Sequence, residues 1–409
     1  MQFIHHTLSN GLQIVAECNP EAHSTALGFF VQTGARDESA DVAGVSHFLE
    51  HMVFKGTPTR SPDDVNREFD EMGAHYNAFT SEENTVYYAA VLPEYQTRAA
   101  ELLGDIMRPS LRETDFTTEK KVIIEEIRMY ADQPPFGADD RVKARHFGSH
   151  PLGKSVLGTV DSIAALPLDK MRSYFQRRYS PGNMTLVGAG RIDFDQLVQT
   201  VEKLCGSWEN LAAGRDTPRA DGHSGFECVL KDTAAMEYVI QITNAPGATD
   251  DDRFAAKLLA TIVGDDSGSR LFWELVDPGL AEHASFSHHD YQGSGLFMTY
   301  MSCEPGKTAE NLKRLRRVYA DLQAGGVTAT ELAQAKSKIN SRVVLGSEKP
   351  RGRLFTVGGN WVNRREYHTV ADDLALVDAV TVEQIAAVLA SYPLADSTGI
   401  AIGPLAEVS

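Results

Sequence analysis

The strongest constraint on the fold is that one order of sequence patterns occurs twice. Residues 85–107 (TVYYAAVLPEYQTRAAELLGDIM) and 296–319 (LFMTYMSCEPGKTAENLKRLRRVY) both read as a strand, a proline-containing turn and an amphipathic helix. Residues 166–190 and 380–403 both read as a helix that runs into an apolar strand. Repetition of this kind indicates duplication of one α+β unit. We therefore predict an α+β protein with two similar domains.

The boundary between the two repeats is predicted to lie in a polar stretch. Residues 210–225 (NLAAGRDTPRADGHSG) contain glycine and proline and lack periodicity, which is typical of a linker. A chain of 409 residues also exceeds what one hydrophobic core usually supports. We predict a first domain over residues 1–212, a linker over 213–225 and a second domain over 226–409.

Composition and charge exclude several classes of protein. The net charge is −17 and no basic run occurs, which disfavours a surface for nucleic acid or anionic membrane. No window approaches the roughly 18 apolar residues of a membrane span. The beginning of the chain, MQFIHHTLSNGLQIV, has neither signal-peptide nor transit-peptide features. The four cysteines are widely spaced, which suits a reducing compartment. A cytoplasmic protein is predicted.

A histidine motif lies on a helix predicted over residues 42–54. Positions i, i+3 and i+4 share one helix face, so His47, Glu50 and His51 are expected to face the same space. Neutral imidazoles are good zinc ligands, and a nearby carboxylate can deprotonate a zinc-activated water. H-x-x-E-H is an inverse-zincin signature. The alternative is a surface helix that carries these residues by chance, but the segment is otherwise apolar, where unpaired His and Glu would be costly to bury.

A third metal ligand is expected from a helix predicted over residues 117–130. Glu119 and Glu126 are seven residues apart and share a face of this helix, whereas Glu125 is rotated by roughly 100°. One of the aligned pair could bind the metal while the other orients a ligating histidine. A solvated acidic face remains the alternative. Spacing alone does not choose between them.

Three further segments extend the motif into a family resemblance. HFLEHMVFKGT at residues 47–57, GAHYNAFTSEENTVYY at 73–88 and KKVIIEEI at 120–127 resemble the pitrilysin family, in the branch of the mitochondrial processing peptidase and its bacterial relatives. Glu126 lies 75 residues after His51, where that branch carries its third zinc ligand. The resemblance implies one zinc ion per chain, bound by His47, His51 and Glu126. It also implies that Glu50 is the catalytic base and that Glu119 orients a ligand.

The resemblance also implies an architecture and a substrate. Each half would be an antiparallel-rich mixed sheet packed with helices, as in processing peptidases. Paired chains of this family close around a chamber that admits peptides or unfolded segments. Asn77, Ala78 and Phe79 match the edge strand beside the metal, to which a peptide would add by main-chain hydrogen bonds. An ordinary strand is the alternative interpretation of these three residues.

The second half departs from the family pattern at one functional position. Family members that are active without a different partner chain carry an Arg and a Tyr in a pattern like R-E-x-x-G-L-x-Y. These two side chains stabilise the transition state of peptide hydrolysis. Here Val276 stands in place of the Arg and Glu282 in place of the Tyr, with one residue fewer between them. Arg270 and Tyr291 are nearby but do not fit the spacing. We predict a homologous partner subunit that supplies the pair, with a homodimer as the alternative.

Cleavage specificity is not predicted from the sequence. Processing peptidases recognise a basic residue near the cut with acidic residues downstream of the third ligand. Phe136 occupies one of the aligned positions and Asp140 the other. The sequence therefore does not predict a preference for arginine near the cleaved bond.

The leading prediction is a zinc-dependent endopeptidase subunit. The rival is a non-catalytic structural or core subunit of the same family. Such subunits usually lose ligands of the metal motif, whereas this chain keeps His47, His51 and Glu126. The complete ligand set favours the enzyme.

Overall fold

The fold is described from a computed structural model that covers residues 1–135 and 137–408. The first half of the chain contains β1 (Gln2–Thr7), β2 (Gln13–Cys18), β3 (Thr25–Val31), α1 (Val45–Val53), α2 (Pro62–Glu71), β4 (His75–Thr80), β5 (Thr85–Val91), α3 (Gln96–Ile106), α4 (Glu113–Asp132), α5 (Ala138–Phe147), α6 (Val160–Ala165), α7 (Leu168–Arg178), β6 (Met184–Gly190) and α8 (Phe194–Cys205). The second half contains β7 (Gly225–Leu230), β8 (Glu237–Ala245), α9 (Arg253–Gly264), β9 (His283–Tyr291), β10 (Ser294–Cys303), α10 (Thr308–Gly325), α11 (Ala329–Ser347), α12 (Pro350–Arg364), α13 (Val370–Asp378), α14 (Val382–Ser391) and β11 (Thr398–Gly403).

The two sheets repeat one topology. The first has the order β1-β2-β6-β3-β5-β4, and the second has the order β7-β11-β8-β10-β9. Each contains one parallel pair, β2 with β6 and β7 with β11, and its other pairings are antiparallel. Apart from β1, the strands therefore correspond one to one in order and direction. The predicted fold of two similar domains, each an antiparallel-rich mixed sheet packed with helices, is confirmed.

The first sheet is covered on both faces. One face packs against a core that includes α1, α3 and α7, with Phe29, Phe48 and Tyr87 among its fully buried side chains. The opposite face packs against α12, where Leu354 and Val357 meet strand residues such as Phe30. Both faces of the central strands are apolar for this reason, and β3 is buried along its whole length.

The second sheet is also covered on both faces. Its larger core contains side chains of α9, α10 and α14, such as Leu259, Leu315 and Val388. On the other face, Val142 and Phe147 of α5 pack against β8, β10 and β11. Helix α5 therefore has the role in this unit that α12 has in the first.

The compact units are not continuous in sequence. One comprises residues 1–128, 154–215 and 345–368, and the other comprises 129–153, 216–344 and 369–409. The predicted division into 1–212 and 226–409 treats each half as continuous, and the compact units differ from it in the segments that carry α5 and α12. The physical reason is that each of these helices buries its apolar face on the sheet formed by the other half of the sequence.

Helix α1 begins at Val45, three residues later than predicted. Gly44 precedes it with a φ of +88°, and a Cβ there would lie 2.6 Å from the carbonyl oxygen of Leu157. The amides of Gly44 and Ser46 donate to the Glu38 carboxylate over 2.6 and 2.8 Å. This carboxylate therefore holds the first turn of the helix that carries the histidine motif.

Buried ion pairs surround the loop before α1. Asp37 accepts from Arg178 over 3.2 Å and from Arg215 over 2.5 Å, and its side chain is 1% exposed. The neighbouring Arg36 pairs with Glu83, also with almost no exposure. The first residues of the predicted linker are thus attached to the first unit, because Arg215 belongs to it.

In the parts of the chain that the structure describes, no single helix has the length and apolar character needed to cross a membrane. Among the same described residues, the two helices α13 and α14 reach that length and apolar character only when taken together, and they are bent by 78° relative to each other.

Candidate metal centre

Three residues from two helices converge in the first unit. His47 and His51 lie on α1, one turn apart, and Glu126 lies on α4. The Glu126 Oε2 atom is 3.8 Å from His47 Nε2 and 3.7 Å from His51 Nε2. All three potential ligand atoms lie within 4.8 Å of one another. The structure therefore brings together the three residues predicted to bind zinc.

The donor set fits a zinc ion. Zinc lies about 2.0–2.2 Å from histidine nitrogen and carboxylate oxygen, so ligand atoms of a tetrahedral site are roughly 3.3–3.6 Å apart. The two separations from the Glu126 oxygen, 3.7 and 3.8 Å, are close to that range, and the separation between the imidazole nitrogens is no more than 4.8 Å. Two nitrogens and one oxygen also leave a fourth position for water or substrate.

Burial keeps His47 in the form that binds a metal. Its side chain is 10% exposed. Desolvation, with a smaller contribution from nearby His51, lowers the pKa of His47 to about 4. The imidazole is therefore neutral near pH 7, as a metal ligand must be.

Glu119 and Lys55 lie behind His51. Glu119 Oε2 is 3.2 Å from His51 Nδ1, and Glu119 Oε1 is 2.8 Å from Lys55 Nζ. His51 therefore presents Nε2 to Glu126 while its other nitrogen contacts a carboxylate. An interaction of this kind fixes the orientation of a ligating imidazole and raises its basicity.

Glu50 lies beside the three converging residues and contacts the edge strand. Its Oε2 atom accepts a hydrogen bond of 2.6 Å from the Thr80 hydroxyl at the end of β4. Burial raises the pKa of Glu50, although the Thr80 hydrogen bond and His51 oppose the rise. A carboxylate with a raised pKa is a stronger base than an exposed one.

The predicted substrate-binding residues lie on β4, which forms one edge of the first sheet. The side chains of Asn77 and Phe79 are exposed, whereas Ala78 faces the protein more closely. Phe79 is 42% exposed, and its ring centroid is 5.9 Å from that of Phe355 on α12. Within the described residues β4 pairs only with β5, so main-chain groups of its other edge are available to an added strand.

Val276 and Glu282 stand in the second unit where the resemblance places an Arg and a Tyr. Val276 ends a π-helical turn, Phe272–Val276, and packs against the core, and Glu282 is exposed. Arg270 is bound to Glu331 over 2.7 and 3.0 Å, and Tyr291 is 8% exposed. Arg270 and Tyr291 therefore do not take the place of the missing Arg and Tyr.

Asp140 and Phe136 are the two positions that the resemblance aligns with the acidic residues of processing peptidases. Asp140 lies in the first turn of α5. Phe136 lies outside the described residues.

Sequence reasoning missed Lys55 and Thr80. Lys55 follows His51 by four residues, just beyond the end of α1, and this spacing could have indicated that the two side chains lie close together. Thr80 follows Ala78 by two residues on β4, and this alternation could have indicated a shared face. Both spacings point to the site only once it is known that α1 and β4 lie next to each other in the fold.

Replacing Glu119 with glutamine is expected to weaken zinc binding by about 10–100-fold, because the amide cannot orient and polarise His51 as a carboxylate does. Competition with a chromophoric chelator measures the affinity. Lys55→Met should weaken binding in the same direction, and Lys55→Arg should restore it. Glu125→Gln is the control, since that side chain is 70% exposed and pairs only with Arg128 among the described residues. Equal affinities for wild type and Glu119→Gln would contradict the orienting role.

Comparison with known families identifies the chain. The model of the insulinase family, peptidase family M16, matches residues 13–160, and the model of the peptidase M16 inactive domain matches residues 165–339. The chain therefore belongs to peptidase family M16, and the resemblance to pitrilysin-type peptidases is confirmed.

Similar proteins extend over almost the whole chain. An uncharacterized zinc protease of Mycobacterium leprae is 34% identical over 98% of this chain and 92% of its own length. The uncharacterized zinc protease YmxG of Bacillus subtilis is 30% identical over 93% of each chain. These names place the chain among metallopeptidase relatives.

Solved structures share the fold. A protease from Helicobacter pylori superposes with a TM-score of 0.91 at 23% identity, over 98% of this chain and 99% of the other. A chain of complex III2 from Candida albicans superposes with a TM-score of 0.84 at 16% identity, over 98% and 96%. At these identities the likeness concerns the fold.

Proposed function

We propose that this chain is a zinc-dependent endopeptidase subunit that binds one zinc ion through His47, His51 and Glu126. The observation that carries the proposal is the convergence of three potential ligand atoms within 4.8 Å of one another. The names of the bacterial relatives support zinc as the metal and peptide hydrolysis as the activity.

The residues around the ligands have separate tasks in this proposal. Zinc bound by these residues would supply Lewis acidity and would lower the pKa of a water molecule enough for it to be deprotonated near neutral pH. Glu50 takes the proton from the attacking water and delivers it to the leaving amine. Glu119 holds His51, and Thr80 holds the Glu50 carboxylate through its hydroxyl. A peptide that pairs with β4 through Asn77, Ala78 and Phe79 would lie beside Glu50, because Thr80 ends the same strand.

A second, homologous subunit completes the proposed enzyme. Val276 and Glu282 cannot provide the guanidinium and phenol groups that assist the transition state in self-sufficient relatives. We therefore assign that pair to a partner chain, which would form with this one a heterodimer around a chamber that admits peptides or unfolded segments. A homodimer with altered activity is the alternative assembly.

The rival function is a non-catalytic structural or core subunit. Its support is the similarity of fold to a chain of Candida albicans complex III2 and to a Pseudomonas fluorescens structure described as a peptidase M16 inactive domain. The complete set of His47, Glu50, His51 and Glu126 favours the peptidase, since a subunit without catalytic activity would not need to keep all the residues of the metal motif.

Metal analysis combined with hydrolysis of a quenched peptide tests the proposal. The purified chain should contain about one zinc per chain, and removal of zinc by a chelator should abolish hydrolysis until zinc is returned. Glu126→Gln should lose the zinc, whereas Glu125→Gln should keep it. Each measurement is made with the chain alone and with a co-expressed homologue, and activity that requires the homologue supports the shared site. A chain that binds zinc but never hydrolyses peptides in either setting supports the core-subunit function.

A further inference from the structure

A groove in the second unit lies far in sequence from the metal motif. It has a volume of about 560 Å³ and runs between α10 and residues 393–397, which follow α14. Tyr319, Ala320 and Ala324 line it from the helix, and Leu394 lines it from the opposite wall. This volume lies in the range of small-molecule sites, and a mostly apolar lining with few polar groups is their usual character.

One amide side chain of this groove is free to bind a ligand. Gln241 lies on β8, on the same face as Val239 of the apolar core, and is 7% exposed. It lines the groove from the sheet. Across residues 1–135 and 137–408, its amide has no hydrogen-bond partner. A ligand in the groove could therefore accept a hydrogen bond from the amide nitrogen of Gln241.

One cation of the groove is also unpaired. Helix α10 carries four basic residues between 313 and 317, and two of them, Arg314 and Arg317, pair with Glu274 over 2.9 and 2.5 Å. Arg316 lines the groove, and within the described chain it has no acidic partner. Lys313, one turn before it, also has none among those residues. In a protein with a net charge of −17, a cation without an acidic partner beside an apolar groove favours an anion there.

We infer that this groove binds a fatty carboxylate, a molecule with an unbranched apolar chain and a carboxylate head. The head accepts hydrogen bonds from the Arg316 guanidinium and the Gln241 amide. The chain lies on Tyr319, Ala320 and Leu394. A peptide fits this lining less well, since each residue would bring a backbone amide and carbonyl that the apolar walls cannot satisfy.

Calorimetric titration of the full chain with decanoate, and with decanol as the neutral counterpart, tests the inference. Decanoate should bind at one site per chain, and decanol should bind at least tenfold more weakly. Arg316→Gln should weaken decanoate by roughly tenfold or more and leave decanol unchanged, because only the charged head is affected. Arg317→Gln is the control, with the same loss of charge one residue away but a guanidinium already paired with Glu274.

Two further variants separate a binding site from a structural role. Ala320→Trp fills the groove from an exposed helix position and should abolish decanoate binding without unfolding the chain. Gln241→Leu should weaken decanoate binding without lowering the melting temperature of the free protein. Absence of saturable binding, equal affinity for decanoate and decanol, binding unaffected by Ala320→Trp, or binding only of a peptide with a free apolar C-terminus would each overturn the inference. Every one of these outcomes can be read without peptidase activity.

Discussion

Glu50→Gln is expected to lower the rate of peptide hydrolysis by about 10²–10⁴-fold, the usual contribution of a general base. Glutamine has nearly the volume of glutamate, and its oxygen can still accept the hydrogen bond from Thr80, so the local packing should persist. It cannot accept a proton from the attacking water. Because Glu50 is not among the three converging ligands, the zinc content should remain at about one ion per chain. The rate is measured with a quenched peptide together with the metal analysis.

Two comparisons make the Glu50 experiment specific. Glu125→Gln removes a carboxylate from the same unit at an exposed position and should leave both rate and zinc content unchanged. Glu126→Gln should lose rate and zinc together. If Glu50→Gln hydrolyses peptides at the wild-type rate, Glu50 is not the base. If the Glu50→Gln variant also loses zinc, Glu50 is needed to keep the metal ligands in position.

Asp37→Asn is expected to destabilise the chain by about 3–5 kcal/mol, the usual effect of breaking a buried ion pair from one side. Arg178 and Arg215 both donate to this carboxylate, and their side chains are 7% and 9% exposed. Their positive charges would remain buried without their counter-ion. Urea denaturation followed by fluorescence measures the loss in free energy of unfolding.

Asp169→Asn provides the matched control for the Asp37 experiment. The Asp169 side chain is 92% exposed and pairs with Arg172 on the surface of α7, so its replacement should change stability by no more than about 0.5 kcal/mol. Similar unfolding curves for the two variants would mean that the ion pairs around Asp37 add little. A loss of zinc affinity in Asp37→Asn would further link this loop to α1, because the adjacent Glu38 holds the first turn of that helix.

The duplicated pattern was sufficient to predict the architecture. Strands and helices recur in the same order because each repeat must bury the same kinds of face, and the sheets accordingly share one order and one parallel pairing. The positions of α5 and α12 were not predicted. Periodicity shows that a helix has an apolar face, but it does not show which sheet that face will cover. Only the tertiary packing assigns Val142 to one sheet and Leu354 to the other.

The candidate site was predictable in part. Helical spacing predicts that His47, Glu50 and His51 share a face, since that depends only on local geometry. The choice between Glu119 and Glu126 is not local: they share one face of α4, and the spacing alone left both open. In the structure Glu126 Oε2 lies near both Nε2 atoms, whereas Glu119 contacts His51 Nδ1. The roles of these residues in binding zinc and in catalysis remain predictions.

The crossed placement of α5 and α12 has a consequence for any attempt to divide the molecule. A fragment ending at the polar stretch near residue 212 would keep the first sheet but lose α12, which would leave Phe30, Val187 and their neighbours open to water. The complementary fragment would lose α5 and uncover Ile240 and Leu296. Exposed apolar surfaces of that kind promote aggregation. Despite their duplicated design, the two halves are therefore not interchangeable modules, and neither should be expressed without the other.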